Sequence, residues 1–150
     1  MKKQIILSLS ILFLSVSCKD GDFLVLGKSV TVEPVTATKE CYEYDQDGND
    51  ISMQIETTGK DVIGAMTYSL SEKDKNAGIL KGQWKNDILL LDYTFLSEGT
   101  ESTRQVAFQL KDGQLIEGYG EMTEDGTKFK EVSQLKFTST MPLSKTNCPK

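Results

Sequence analysis

Ile79-Leu80-Lys81-Gly82-Gln83-Trp84-Lys85-Asn86-Asp87-Ile88-Leu89-Leu90-Leu91-Asp92-Tyr93-Thr94-Phe95-Leu96 decides the fold. Its two arms are apolar with a period of two, and the polar triplet Lys85-Asn86-Asp87 divides them, which is the signature of an antiparallel hairpin. With Asn86-Asp87 as the turn pair, Trp84 faces Leu89, Gly82 faces Leu91 and Leu80 faces Tyr93, all turned inward. Lys81 then faces Asp92 on the outside as a cross-strand ion pair.

The same grammar extends in both directions. Glu101–Lys111 and Gln114–Met122 flank Asp112-Gly113, a pair suited to the left-handed dihedrals of a type I′ turn. Upstream, Tyr42 and Tyr44 alternate before Asp45-Gln46-Asp47-Gly48-Asn49-Asp50. Ile51, Met53 and Ile55 alternate before Thr58-Gly59-Lys60, and Val62, Gly64, Met66, Tyr68 and Leu70 before the polar stretch Ser71–Asn76. Phe129–Phe137 is mixed and suits a short strand or a helical turn. No segment after the N-terminus carries a long helical stripe. About eight strands at this spacing predict an all-β fold: a small antiparallel up-and-down β-barrel, lipocalin-like, or a sandwich. Closure is favoured because it removes exposed strand edges.

The 150 residues suit one domain, with 17 Lys and Arg, 22 Asp and Glu, and a net charge of −5. An acidic chain is an unlikely ligand for nucleic acid. With no histidine, Ser-His-Asp and Cys-His catalysis and His-ligated metals are excluded. Asp45-x-Asp47-Gly48-Asn49-Asp50 has the composition of a calcium loop but lacks the EF-hand order and its downstream Glu, so it reads as a turn. No metal and no cofactor is expected.

The N-terminus reads as an address. Lys2 and Lys3 precede the apolar run Ile5–Leu14, then small residues lead to Cys18, which is the pattern of a lipoprotein signal peptide over residues 1–17. Cys18 becomes the acylated residue, by palmitate-like chains, and residues 18–39 form a tether to a domain at 40–150. Removing residues 1–17 takes away two lysines and leaves 15 basic against 22 acidic side chains, or −7. Such a domain is repelled by anionic head groups, so the lipid makes the membrane contact. The expected location is the cell envelope, most simply the outer membrane, on its periplasmic face or at the cell surface. With Cys18 acylated, Cys41 and Cys148 remain for an oxidising compartment, and a disulfide between them is the simple solution. Neither has the CxxC spacing of a redox or metal pair.

Continuing the register around Asp112-Gly113 pairs Leu110 with Leu115, Phe108 with Glu117, Val106 with Tyr119 and Arg104 with Glu121. Arg104, Glu117, Tyr119 and Glu121 therefore share a nominally inward face. They read either as a ligand cluster at a barrel mouth, with Arg104 as anion contact, or as a water-exposed rim with an Arg104–Glu121 ion pair. Gly118-Tyr119-Gly120 marks a bend.

Tyr68–Gly78, Gly82-x-Trp84, Leu91–Gly99, Arg104–Phe108 and Glu117–Gly120 together resemble short lipoproteins of Bacteroidota, chiefly flavobacteria. Lys19-Asp20-Gly21-Asp22 is similar to the surface-export signal of that phylum. The resemblance covers most of residues 41–148 and brings no catalytic residues with it. The function expected first is that of a membrane-anchored, non-enzymatic envelope lipoprotein, an interaction or structural module that contacts another envelope protein or polymer. The alternative is a barrel holding a small apolar ligand, and a carboxylate hydrolase ranks third.

Overall fold

The computed structural model describes residues 36–71, 73, 75–97 and 99–149. The expected signal peptide 1–17, the lipidation site Cys18, the export-type Lys19–Asp22 segment and the tether as far as residue 35 lie outside the described residues. The described chain forms β1 (Thr38–Gln46), β2 (Asn49–Thr58), β3 (Asp61–Ser69), β4 (Asn76–Lys85), β5 (Ile88–Ser97), β6 (Thr100–Lys111), β7 (Gln114–Tyr119), β8 (Lys136–Phe137) and β9 (Leu143–Thr146). One 3-10 turn, Val132–Gln134, precedes β8. Residues 129–137 thus supply both forms expected of them, a helical turn and a short strand.

All pairings are antiparallel. β1 to β7 follow one another around the sheet, and β9 closes it between β7 and β1. The result is a closed eight-stranded barrel of β1–β7 and β9, with β8 added on the side of β7 at Gly118↔Phe137 and Tyr119↔Lys136. Closure settles the choice between barrel and sandwich. β1 starts at Thr38, two residues ahead of the expected domain start at residue 40.

Turn chemistry fixes the register. Asp47 and Gly48 have φ of 54° and 75°, and Asp112 and Gly113 have φ of 51° and 80°. Positive φ at both central positions is what type I′ turns require, so the acidic stretch 45–50 acts as a hairpin turn joining Gln46 to Asn49. The β4–β5 register is the one read from the sequence: Trp84↔Leu89, Gly82↔Leu91, Leu80↔Tyr93 and Lys81↔Asp92. An off-by-one slip would turn the whole apolar set to water.

The barrel axis is filled with side chains. Ile55, Leu89, Leu91, Tyr93 and Leu115 are fully buried, and Val62, Phe108 and Leu143 are within 1% of it. The Tyr93 hydroxyl donates to the Met66 carbonyl at 3.3 Å, so this buried phenol is satisfied. Tyr42, Tyr68 and Tyr93 belong to this core, while Tyr44 and Trp84 pack against it as partly buried neighbours. Cys41 and Cys148 form a disulfide with Cα atoms 5.1 Å apart, which ties the first strand to the chain beyond the last.

Strand directions define two ends. The Gly59-Lys60, Asn86-Asp87 and Asp112-Gly113 turns lie at one end, together with the start of β1, since Thr38 pairs with Thr57. The Asp47-Gly48 turn, the 70–75 loop and the β5–β6 turn lie at the other. The second end also receives the long connection that leaves β7.

Candidate functional site

β7 stops at Tyr119, short of the expected Met122. Its ladder with β6 ends at Ala107↔Gly118, so the expected Val106–Tyr119 and Arg104–Glu121 pairings do not form. The chain instead makes a small hairpin of its own. Met122 bridges Phe129, and Thr123 N–H donates to the Lys128 carbonyl at 2.8 Å. Asp125 nucleates the turn: its Oδ1 accepts from the Thr123 hydroxyl at 2.6 Å, the Thr127 N–H at 3.0 Å and the Thr127 hydroxyl at 2.9 Å. These donors hold the Asp125 carboxyl below its ordinary pKa. Thr127 takes over the freed β6 edge by accepting from Gln105 N–H at 2.7 Å.

Glu121 leaves the cluster for the same reason. It pairs with Lys130 across this hairpin. The rim ion pair expected between Arg104 and Glu121 is thereby replaced by an exposed Lys130–Glu121 pair, which contributes little to stability.

Arg104, Glu117 and Tyr119 do come together, around a cleft of about 610 Å³ at the end where β7 exits. On its apolar side are Leu70, Val106, Met122, Phe129 and Met141, and Lys73 stands on the 70–75 loop. Glycine opens this region to packing. A Cβ at Gly118 would lie 2.6 Å from the Phe137 ring, so the bend read at Gly118-Tyr119-Gly120 is the place where β8 presses onto β7.

Arg104 faces Tyr93 across the β5–β6 ladder. Its guanidinium carbon lies 5.6 Å from the Tyr68 ring centre, 5.9 Å from Tyr93 and 5.4 Å from Phe95. Those distances are within cation–π range. Tyr93 and Phe95 stack at 4.9 Å, and Tyr68 meets Tyr93 edge-on at 5.9 Å. A cation thus caps an aromatic group that is itself the top of the core.

Glu117 is engaged on both oxygens. The Tyr68 hydroxyl donates to one at 2.9 Å and the Tyr119 hydroxyl to the other at 3.3 Å. Burial raises the Glu117 pKa, against the opposing pull of the Tyr68 hydrogen bond, the Arg104 charge and the Tyr119 hydrogen bond. Burial, with the Glu117 charge second, pushes the Tyr68 phenol well above its usual range. Among the described residues lining the cleft, Glu117 is the one carboxylate. Among the described lining residues, Glu117 has no second carboxylate beside it of the kind a paired acid and base would need.

In comparisons with protein-family models, curated proteins and solved structures, the chain has no match.

Of the four residues singled out in the sequence, three line one cleft and Glu121 does not. Phe95, Lys73 and the 122–129 hairpin are additions from the structure. The signal for the hairpin was present in Asp125-Gly126, where Gly126 has φ of 70°. Outside the cleft, Glu43, Asp45 and Asp50 bring carboxylate oxygens within 4.8 Å of one another beside the first turn.

The Glu117 shift has a sign that can be checked. A carboxyl whose folded pKa is raised above its ordinary 4.5 binds protons more tightly when folded. Its contribution to stability is complete below that value and is lost as pH rises through the folded pKa. Urea midpoints of the wild type relative to Glu117→Gln are therefore expected to fall as pH rises from the acid side, then level off. Parallel midpoints from pH 4 to 8 would contradict the assigned burial.

Proposed function

We propose that this chain is a non-catalytic recognition module of the cell envelope, tethered through a lipid on Cys18, that holds its partner at the barrel mouth and not within the barrel. One observation supports the mouth above the interior. Side chains with almost no exposure occupy the barrel axis, whereas the cleft above them brings polar and apolar groups to solvent together. Binding sites favour such a mixture of apolar wall and few convergent polar groups. The runner-up function, a carrier with an apolar ligand enclosed along the axis, would need those core side chains to move apart.

β1 begins at the end of the barrel opposite the cleft, where Thr38 pairs with Thr57. Outer-membrane placement follows from the signal-peptide and Cys18 reading, and the acidic domain is consistent with a lipid as the sole membrane contact.

The test is site-specific photocrosslinking in intact cells from Met122 at the cleft and Ile63 on the outer wall, with the full lipidated chain. Ile63 is 57% exposed and serves as the reference for wall contacts. Adducts from Met122 that are absent from Ile63 are expected. Adducts from Ile63 alone would move the recognition surface to the barrel wall and overturn the reading.

A further inference from the structure

The cleft has a charge balance that points to a ligand class. Among its described lining residues it holds two cations, Lys73 and Arg104, and one carboxylate, Glu117. Glu117 does not neutralise Arg104 by direct contact. Its oxygens accept from Tyr68 and Tyr119, and among the described residues the ion pairs are Lys130–Glu121 and Lys145–Glu40. Arg104 is solvent-exposed and lies against three aromatic rings. Guanidinium packed this way keeps its in-plane N–H donors available, in the forked geometry that matches a carboxylate.

The rest of the cleft selects the body attached to that anion. Val106, Met122, Phe129 and Met141 provide apolar and thioether surface beside the Tyr119 ring, and methionine sulfur packs well against aromatic groups. A volume of about 610 Å³ is in the range of small-molecule sites. Over its described lining residues the cleft carries one net positive charge, which a single negative charge balances. A doubly charged head group would place its second charge toward Glu117.

Resting on the proposed recognition role, we infer that the cleft binds a small monocarboxylate with a compact apolar body, its carboxylate on the Arg104 guanidinium and its apolar part between Met122, Phe129 and Met141. Glu117, held by the two tyrosine hydroxyls, rejects multiply charged anions.

The probe is 4-phenylbutyrate, compared with its neutral analogue 4-phenylbutan-1-ol, titrated into the full chain and followed by NMR shifts of the methionine methyl groups. The acid is expected to bind about tenfold or more tightly than the alcohol, the difference made by one charge-assisted forked contact. Arg104→Gln should remove that preference, and Arg104→Lys should restore part of it by returning the charge without the fork. Equal affinity of acid and alcohol for the wild type would overturn the inference, as would no binding at millimolar acid or a preference that survives in Arg104→Gln. If Arg104→Gln does not fold, the acid and alcohol comparison on the wild type still decides. Should the acid fail while Met122 still crosslinks a partner in cells, the ligand class falls and the recognition role stands. Crosslinks from Ile63 alone would remove the role itself.

Discussion

Replacing Cys41 and Cys148 together by alanine should destabilise the barrel by about 3–5 kcal/mol, the range expected when a covalent loop of this size is opened. The sequence separation is 107 residues, so the bridge spans nearly the whole described domain and restricts almost all of its unfolded ensemble. Its position in the sheet adds a second reason. β9 closes the ring with three residue pairs to β1 and two to β7, while β5 and β6 share ten. The closing strand is thus the weakest seam, and Cys148 fastens the chain two residues beyond its end. Without the bridge, β9 should fray and expose the edges of β1 and β7, an invitation to edge pairing with other chains. A fall in melting temperature of roughly 10–20 °C is expected for a domain of this size. Amide exchange should accelerate first at Ser144–Thr146, well before β5 and β6. A double-alanine variant with an unchanged urea midpoint, or with exchange rising uniformly around the barrel, would show that the bridge does not secure the seam.

The hairpins could be read from the sequence because each strand has one wet face and one dry face. Period-two alternation and turn pairs such as Asp47-Gly48 and Asp112-Gly113 then fix both strand and register. Lys81 opposite Asp92 and Leu80 opposite Tyr93 are direct consequences of that arithmetic. The reading failed where local and tertiary signals diverge. Extending the β6–β7 ladder to Arg104 and Glu121 assumes that a register, once set, continues. The packing of Phe137 over Gly118 and the turn around Asp125 end it at the Ala107↔Gly118 pair instead. Cleft residues such as Lys73, Met122 and Met141 come from segments with no period of their own. Only the closed barrel brings them beside Arg104, and pairwise strand arithmetic does not reach across a ring. Closure itself was favoured only by the cost of open edges. The pairing of β9 to both β1 and β7 rests on four residues, Leu143–Thr146, too short a run to carry a pattern.

The core of the barrel depends on a residue that a composition-based reading would pass over. Gly82 lies on the inward face of β4, opposite Leu91. A Cβ at that position would stand 2.1 Å from the Leu90 carbonyl oxygen and 2.8 Å from the Leu91 Cα. Both obstacles are β5 backbone. They cannot rotate away as a side-chain tip could, and moving them breaks the β4–β5 ladder on both sides of the contact. Gly82→Ala should therefore cost about 4 kcal/mol or more, in the exceptional range reserved for core overpacking and backbone displacement. Gly113→Ala is the informative comparison. Gly113 has no neighbour within 4 Å of the added Cβ but a φ of 80°, so its substitution carries only the left-handed penalty of about 1–2 kcal/mol. Both variants gain one methyl group, and both positions lie on the central hairpins, so the difference between them isolates the close approach of β4 to β5. Urea denaturation of the two should separate them by about two tenfold steps in the folding equilibrium. If Gly82→Ala were no less stable than Gly113→Ala, β4 and β5 could not lie as close as this, and the narrow, filled axis from which recognition at the mouth is proposed would lose its main structural support.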